Sequence, residues 1–239
     1  MAIIGSYAVL AFLPSFTQKE NDARFTALIM GILMGLTIWT MHFIGMKAFT
    51  TTEEIYYDIF ITILSILPAA LGSGVAFSLL ISKTMKPPSK KRLLISSLIL
   101  ASSISLMHYT GMAAMMMHAR ISYNYFLVIL SIVVAFSASY LSLTYFLNLN
   151  FLRQVLRQSR IEKHGKIFPA VLMGFTISLM HYIGMMSTNF IPDSTLSKSG
   201  ELLLNEYHTY ALAFYCAFML ILTSLFVSVT VGLQSYVEK

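Results

Sequence analysis

The sequence predicts an all-α fold, a polytopic transmembrane helical bundle of about seven helices built from three helix-pair repeats plus a final helix. The 239 residues are 57% hydrophobic and only 11% charged, where a soluble domain carries roughly 25% charged residues. Apolar runs of about 20 residues alternate with short charged clusters, the length that crosses a bilayer as a helix. A sextet recurs near the end of every second run: Met41-His42-Phe43-Ile44-Gly45-Met46, Met107-His108-Tyr109-Thr110-Gly111-Met112 and Met180-His181-Tyr182-Ile183-Gly184-Met185.

Each element follows from this pattern. Residues 1–13 are apolar but, at 1.5 Å per residue, too short to span. They also lack the basic start and small-residue cleavage site of a signal peptide. Residues 25–49 form the second run and carry the first sextet. An acidic loop, 51–58, leads to the third run, 59–82, in which Pro68 and Gly72-Ser73-Gly74 suit a helix packed closely on its neighbours. The basic loop 83–92, with Pro87-Pro88, stops that helix. The fourth run, 93–117, carries the second sextet and then Met115-Met116-Met117-His118. After a break around Arg120 comes the fifth run, 123–149, and then a linker holding Arg153, Arg157, Arg160, Lys163 and Lys166. The sixth run, 167–190, carries the third sextet, and the seventh is 207–236.

The repeats therefore fall at about 1–50, 56–117 and 123–190, all within one membrane domain covering 1–239 and without a soluble output domain. Ser6-Tyr7-Ala8-Val9-Leu10 echoes Ser139-Tyr140-Leu141-Ser142-Leu143, which has far more apolar chain before it, so the first helix is expected to be a shortened copy.

Loop charge sets the expected orientation. Placing the clusters at 19–24, 83–92 and 150–166 with the C-terminus on one side gives that side 13 of the 16 Lys and Arg. That side is the cytoplasm of a multi-pass cytoplasmic-membrane protein, and all three sextets then lie near the outer face. The net charge of +6 is a topology signal that meets anionic lipid, not a nucleic-acid footprint. With one cysteine, Cys216, disulfides and cysteine-rich zinc sites are excluded. No carboxylate pair, nucleophile triad or nucleotide loop is present, which argues against an enzyme.

A histidine is unfavourable in an apolar helix, and one alone reads as a hydrogen-bonded packing residue. Three at the same depth of a repeated unit read as a functional set. Within each sextet His and the second Met are four apart and share a helix face, while Gly opens the neighbouring row. Three helices of the same direction can bring three His and up to six Met to one level. Imidazole and thioether without carboxylate or thiolate form a soft donor set that suits copper, particularly Cu(I). Zinc would leave the methionines unexplained. Haem iron could take one or two of the His, or a His and a Met. His118, His164 and His208 read as solvated or marginal, and Met30, Met34 and Met173 lie deeper than the sextets.

The triple Met-His-aromatic-x-Gly-Met pattern resembles the MHYT family of bacterial integral membrane sensor domains, over nearly the whole chain. The resemblance implies a six- or seven-helix sensory module that binds copper and detects a diatomic gas such as O2, CO or NO, or redox state. By position, it implies as ligands Met41, His42, Met46, Met107, His108, Met112, Met180, His181 and Met185. Phe43, Tyr109, Tyr182, Gly45, Gly111 and Gly184 support them. It also implies a cytoplasmic signalling partner or output domain, such as a diguanylate cyclase, a cyclic-di-GMP phosphodiesterase or a histidine kinase. Copper transport or delivery, and a haem redox protein, are the alternative readings.

Overall fold

The computed structural model describes residues 1–12, 20–49, 55–81, 88–117, 119–156 and 167–192, together with 217, 218 and 225. His118, His164, His208, Cys216 and almost all of the seventh run lie outside them. The helices are α1 (Ala2–Phe12), α2 (Glu20–Ala48), α3 (Ile59–Leu64), α4 (Ile66–Leu80), α5 (Lys90–Ala113), α6 (Tyr125–Leu156) and α7 (Ile167–Met186). Five stretches are long and apolar enough to cross a membrane: Phe25–Ala48, Ile59–Leu80, Lys90–Ala113, Tyr125–Asn148 and Ile167–Met186. With α1 this is a membrane-embedded helical bundle.

The sextet helices are the inner ones. Within their apolar windows α2, α5 and α7 are 67%, 56% and 50% buried, against 28% for both Ile59–Leu80 and Tyr125–Asn148. Helices α2, α5 and α7 meet one another, and the rest cover the grooves between them: α4 lies on α2 and α5, α6 on α5 and α7, α1 on α7 and α2. The inner stripe is apolar at one-turn intervals below each histidine. Ile38, Ile104 and Ile177, then Met34, Leu100 and Met173, are all 0–1% exposed. The outward faces of α4 and α6 carry exposed Leu67, Leu71, Val75, Phe126, Ile129 and Val133, the composition of a lipid-facing surface.

Small residues let the layers close. A Cβ on Gly31 would lie 2.5 Å from the Gly74 backbone, and one on Gly35 would lie 2.6 Å from the Ala70 backbone, so α2 and α4 touch main chain to main chain. Gly5 seats the Thr37 side chain and Gly72 seats Ser103. Both of these hydroxyls donate to the carbonyl four residues back, Thr37 to Leu33 at 2.7 Å and Ser103 to Ile99 at 2.6 Å. These two hydroxyls are thereby not left bare in the apolar interior.

Three features depart from the sequence pattern. The third run is not one continuous helix, because Ser65 sits in a turn between α3 and α4. Pro68 has no N–H for the Leu64 carbonyl, which releases that turn; the Ser65 hydroxyl donates to the Thr62 carbonyl at 2.6 Å. Helix α6 continues to Leu156, beyond the end of its apolar run. Two short antiparallel ribbons also cap the sextet end. Strand β1 (Tyr56–Tyr57) pairs with β2 (Met115–Met116), Tyr57 opposite Met115. Strand β3 (Ala119–Tyr123), where the sequence showed only a break, pairs with β4 (Thr188–Pro192), Tyr123 opposite Thr188.

The ribbons tie the start of each outer helix to the end of the next sextet helix. The N–H of Asp58 donates to the Ala114 carbonyl and that of Asn124 to the Ser187 carbonyl, both at 2.8 Å. The same two side chains then cap their helices, Asp58 accepting from the Ile61 N–H at 2.9 Å and Asn124 from the Phe126 N–H at 3.1 Å.

Candidate metal centre

Each sextet forms the last turns of its helix, so α2, α5 and α7 deliver His42, His108 and His181 to one level. The three imidazoles are 0–1% exposed. Their Nδ1 atoms converge: 3.1 Å from His42 to His181, 3.1 Å from His108 to His42 and 3.2 Å from His181 to His108. The rings stand nearly perpendicular to one another, at 83° to 88° and with centroids 4.9–5.1 Å apart. Three residues from three helices thus present one trio of nitrogen lone pairs.

That trio cannot satisfy itself. A neutral imidazole carries one N–H and one bare nitrogen. A contact between two Nδ1 atoms is favourable only when one is protonated and the other is not. In a triangle at least one edge must join two of the same kind. The three Nε2 atoms are also buried without a hydrogen-bond partner, which is unfavourable in a low-dielectric interior. A cation facing three bare Nδ1 atoms removes the conflict among the Nδ1 atoms and leaves each proton on Nε2, against the helix backbone. Nitrogens 3.1–3.2 Å apart lie about 1.8 Å from their common centre, within the roughly 2.0–2.1 Å at which imidazole holds a first-row ion. The spacing of the three nitrogens therefore suits a first-row ion, which His42, His108 and His181 would hold. His42, His108 and His181 form the metal-capable cluster among the described residues, and no carboxylate or thiolate belongs to it.

All six sextet methionines are buried members of the core: Met41, Met46, Met107, Met112, Met180 and Met185. The aromatic positions differ. Phe43 is fully buried, Tyr109 partly buried, and Tyr182 is 55% exposed. Each stacks edge-on to its own histidine, at 4.8, 4.9 and 5.2 Å between centroids. Phe43 is covered by Tyr57 and Tyr109 by Tyr123, both edge-on at 5.6 Å. The Tyr109 hydroxyl shares a hydrogen bond with Ser131 at 3.0 Å. Burial first, and then the Tyr109 phenol, push the Tyr123 phenol above its ordinary value, so it stays a neutral donor at physiological pH.

Sequence reasoning did not single out Tyr57 and Tyr123. A signal existed, because each stands eleven residues after the closing Met of a sextet, in Ile55-Tyr56-Tyr57-Asp58 and Ile121-Ser122-Tyr123-Asn124. The glycines hold a further relation. A Cβ on Gly45 would lie 2.5 Å from Nε2 of His181, one on Gly111 2.5 Å from Nε2 of His42, and one on Gly184 would strike Nε2 of His108.

The bacterial signalling-protein N-terminal repeat named MHYT matches residues 35–90 and 102–159, which contain the first two sextets. Residues 35–159 belong to the MHYT family. The chain is 36% identical over 202 residues, 84% of its length, to the bifunctional diguanylate cyclase/cyclic di-GMP phosphodiesterase MucR of Pseudomonas aeruginosa, of which that covers 28%. It is 33% identical over 162 residues, 68% of its length, to the signaling protein YkoW of Bacillus subtilis, covering 19% of it. It is 30% identical over 190 residues, 77% of its length, to the cyclic di-GMP phosphodiesterase NbdA of Pseudomonas aeruginosa, covering 23%. The chain therefore spans 19% to 28% of the length of these curated relatives. What matches is the MHYT sensor region. No solved structure matches the chain.

Proposed function

We propose that this MHYT chain is a membrane sensory module whose three histidines hold one copper ion near the outer face, responding to a diatomic gas or to redox state. The observation that carries the reading is the convergence of three buried Nδ1 atoms to 3.1–3.2 Å. His42, His108 and His181 would hold the ion; copper would supply a reversible one-electron couple and an open position for a small π-acid ligand. The chain's own part is to keep three neutral imidazoles aligned, exclude water and close the site with Phe43 and Tyr109.

The charge of the site favours Cu(I). The desolvation penalty of a buried ion grows with the square of its charge, and no carboxylate belongs to the cluster to offset a divalent cation. The six buried methionines add soft donors around it, suited to the reduced metal. Rings with centroids 4.9–5.1 Å apart leave no space for a porphyrin between them, which disfavours haem. Met30, Met34 and Met173 are fully buried below the site, and that favours the second reading, a copper path. A path still needs polar or charged relays at that depth, and the Thr37, Ser103 and Thr176 hydroxyls there each donate to a carbonyl of their own helix.

In this reading the helix packing represents three helix pairs around the histidine trio, with residues 207–236 as a seventh helix. The exposed Lys90, Lys91 and Arg92 at the start of α5 mark the cytoplasmic side, so the C-terminus is cytoplasmic. Copper or gas binding would shift the packing of α2, α5 and α7, and the change would be read at their cytoplasmic ends. A diguanylate cyclase or phosphodiesterase is the partner class, because relatives of those names share the region.

Metal analysis and optical spectra of the detergent-purified chain, beside a His42→Ala, His108→Ala, His181→Ala triple variant, test the proposal. One copper per chain, absent from the variant, with a carbon monoxide infrared band on the reduced protein, is the expected result. A Soret band would replace copper by haem. Failure to retain copper after loading would end the metal reading.

A further inference from the structure

Each sextet's glycine serves another copy's histidine, never its own. The imidazole of His181 fits over Gly45, that of His42 over Gly111, and that of His108 over Gly184. Followed round the bundle, α2 seats the ring from α7, α5 seats the ring from α2, and α7 seats the ring from α5. The cycle closes after three steps.

The tolerances make this more than packing. The would-be Cβ on Gly45 is 2.5 Å from Nε2 and 2.9 Å from Cδ2 of His181, and that on Gly111 is 2.5 and 2.8 Å from the same atoms of His42. Carbon needs roughly 3.5 Å for ordinary contact, so one added methyl group must move a ring by about 1 Å. A metal ligand tolerates only about 0.2 Å of error. Nε2 is pinned against the backbone of one helix while Nδ1 of the same ring points at the trio, so the glycine sets where the ligand atom stands.

We propose that Gly45, Gly111 and Gly184 are positioning residues for the metal ligands of other sextets. They form a cyclic interlock in which no sextet can hold its histidine without its neighbour. Resting on the copper reading for its ligand, the interlock predicts that a substitution at Gly45 acts through His181 and not through His42, three residues before it on the same helix. It also makes the three-histidine site cooperative: displacing any one of the three helices withdraws the seat of a ligand that belongs to another.

The test is a set of double-variant cycles on the full chain in detergent, titrated with Cu(I) against a chromophoric chelator. Gly45→Ala alone should weaken Cu(I) binding by ~10–100-fold, as loss of orienting partners does. Added to His181→Ala, Gly45→Ala should change the residual affinity by less than twofold, because the ring it displaces is gone. Added to the same His181→Ala background, Gly111→Ala should weaken binding further, because it displaces His42. Equal losses from both glycine variants in that background would overturn the interlock, as would coupling of Gly45→Ala to His42→Ala. If the wild-type chain takes no Cu(I), the metal reading fails by itself, and the same cycle is read in the melting temperature. Destabilisation by Gly45→Ala that disappears in His181→Ala supports the crossed seat, and destabilisation that persists overturns it.

Discussion

Nδ1 of His42 lies 3.1 Å from Nδ1 of His181, although 139 residues separate them. Among the described residues no carboxylate joins either ring, and His108 completes the set at 3.1 and 3.2 Å. Three polar rings forced together in an apolar interior are unfavourable unless something between them is shared.

Single substitutions should be nearly as damaging as the triple. His42→Ala, His108→Ala or His181→Ala each removes one of three ligands, and Cu(I) affinity should fall by at least ~100-fold, beyond what loss of an orienting partner does. Chelator competition on each variant reads this directly; a single variant that keeps wild-type affinity would remove its histidine from the site.

Tyr109→Phe should leave copper affinity within about twofold of wild type, because Phe43 already fills the equivalent place in the first sextet. It should lower stability by about 0.5–1.5 kcal/mol through loss of the 3.0 Å hydrogen bond to Ser131. Thermal unfolding beside a copper titration separates the two effects.

Trp39, the single tryptophan of the chain, reports on the site. Its indole N–H donates to the Thr62 carbonyl at 2.9 Å and its ring meets Phe43 at 4.8 Å, one residue from His42. Copper addition should quench its emission in the wild type and leave it unchanged in the triple histidine variant. Trp39→Phe should destabilise the chain by about 0.5–1.5 kcal/mol, since the Thr62 carbonyl loses this donor and keeps the Ser65 hydroxyl.

Alkaline stability should depend on Tyr123. Its folded-state pKa is raised by burial and by Tyr109, so its contribution is present below the ordinary phenol value of about 10 and is lost as pH rises through the higher folded value. The melting temperature of the wild type should fall more between pH 9 and 11 than that of Tyr123→Phe, which cannot ionise and keeps the ring contact.

Much of this was legible in the sequence because bilayer burial is written in composition. The runs 25–49, 93–117 and 167–190 and their sextets follow from apolar length and from a repeated histidine, although the last two overran their helices, which end at Ala113 and Met186 where the ribbons begin. The two ribbons were not legible: strands as short as Tyr56–Tyr57 and Met115–Met116 leave no alternating pattern to read. The turn at Ser65 had a cue in Pro68, three residues later, but a membrane helix can absorb a proline without breaking. The crossed glycine seats were beyond sequence reasoning for a different reason. Spacing shows that Gly45 and His42 share a helix, but only the packing of α2 on α7 decides that Gly45 faces His181.

The most direct test of the central claim is X-ray absorption at the copper edge of the Cu(I)-loaded chain. Three histidines meeting at one ion predict three nitrogen scatterers near 2.0 Å with the outer-ring pattern of imidazole, lost in the triple histidine variant. A shell of sulfur alone, or one with no imidazole scattering, would contradict a centre built on His42, His108 and His181.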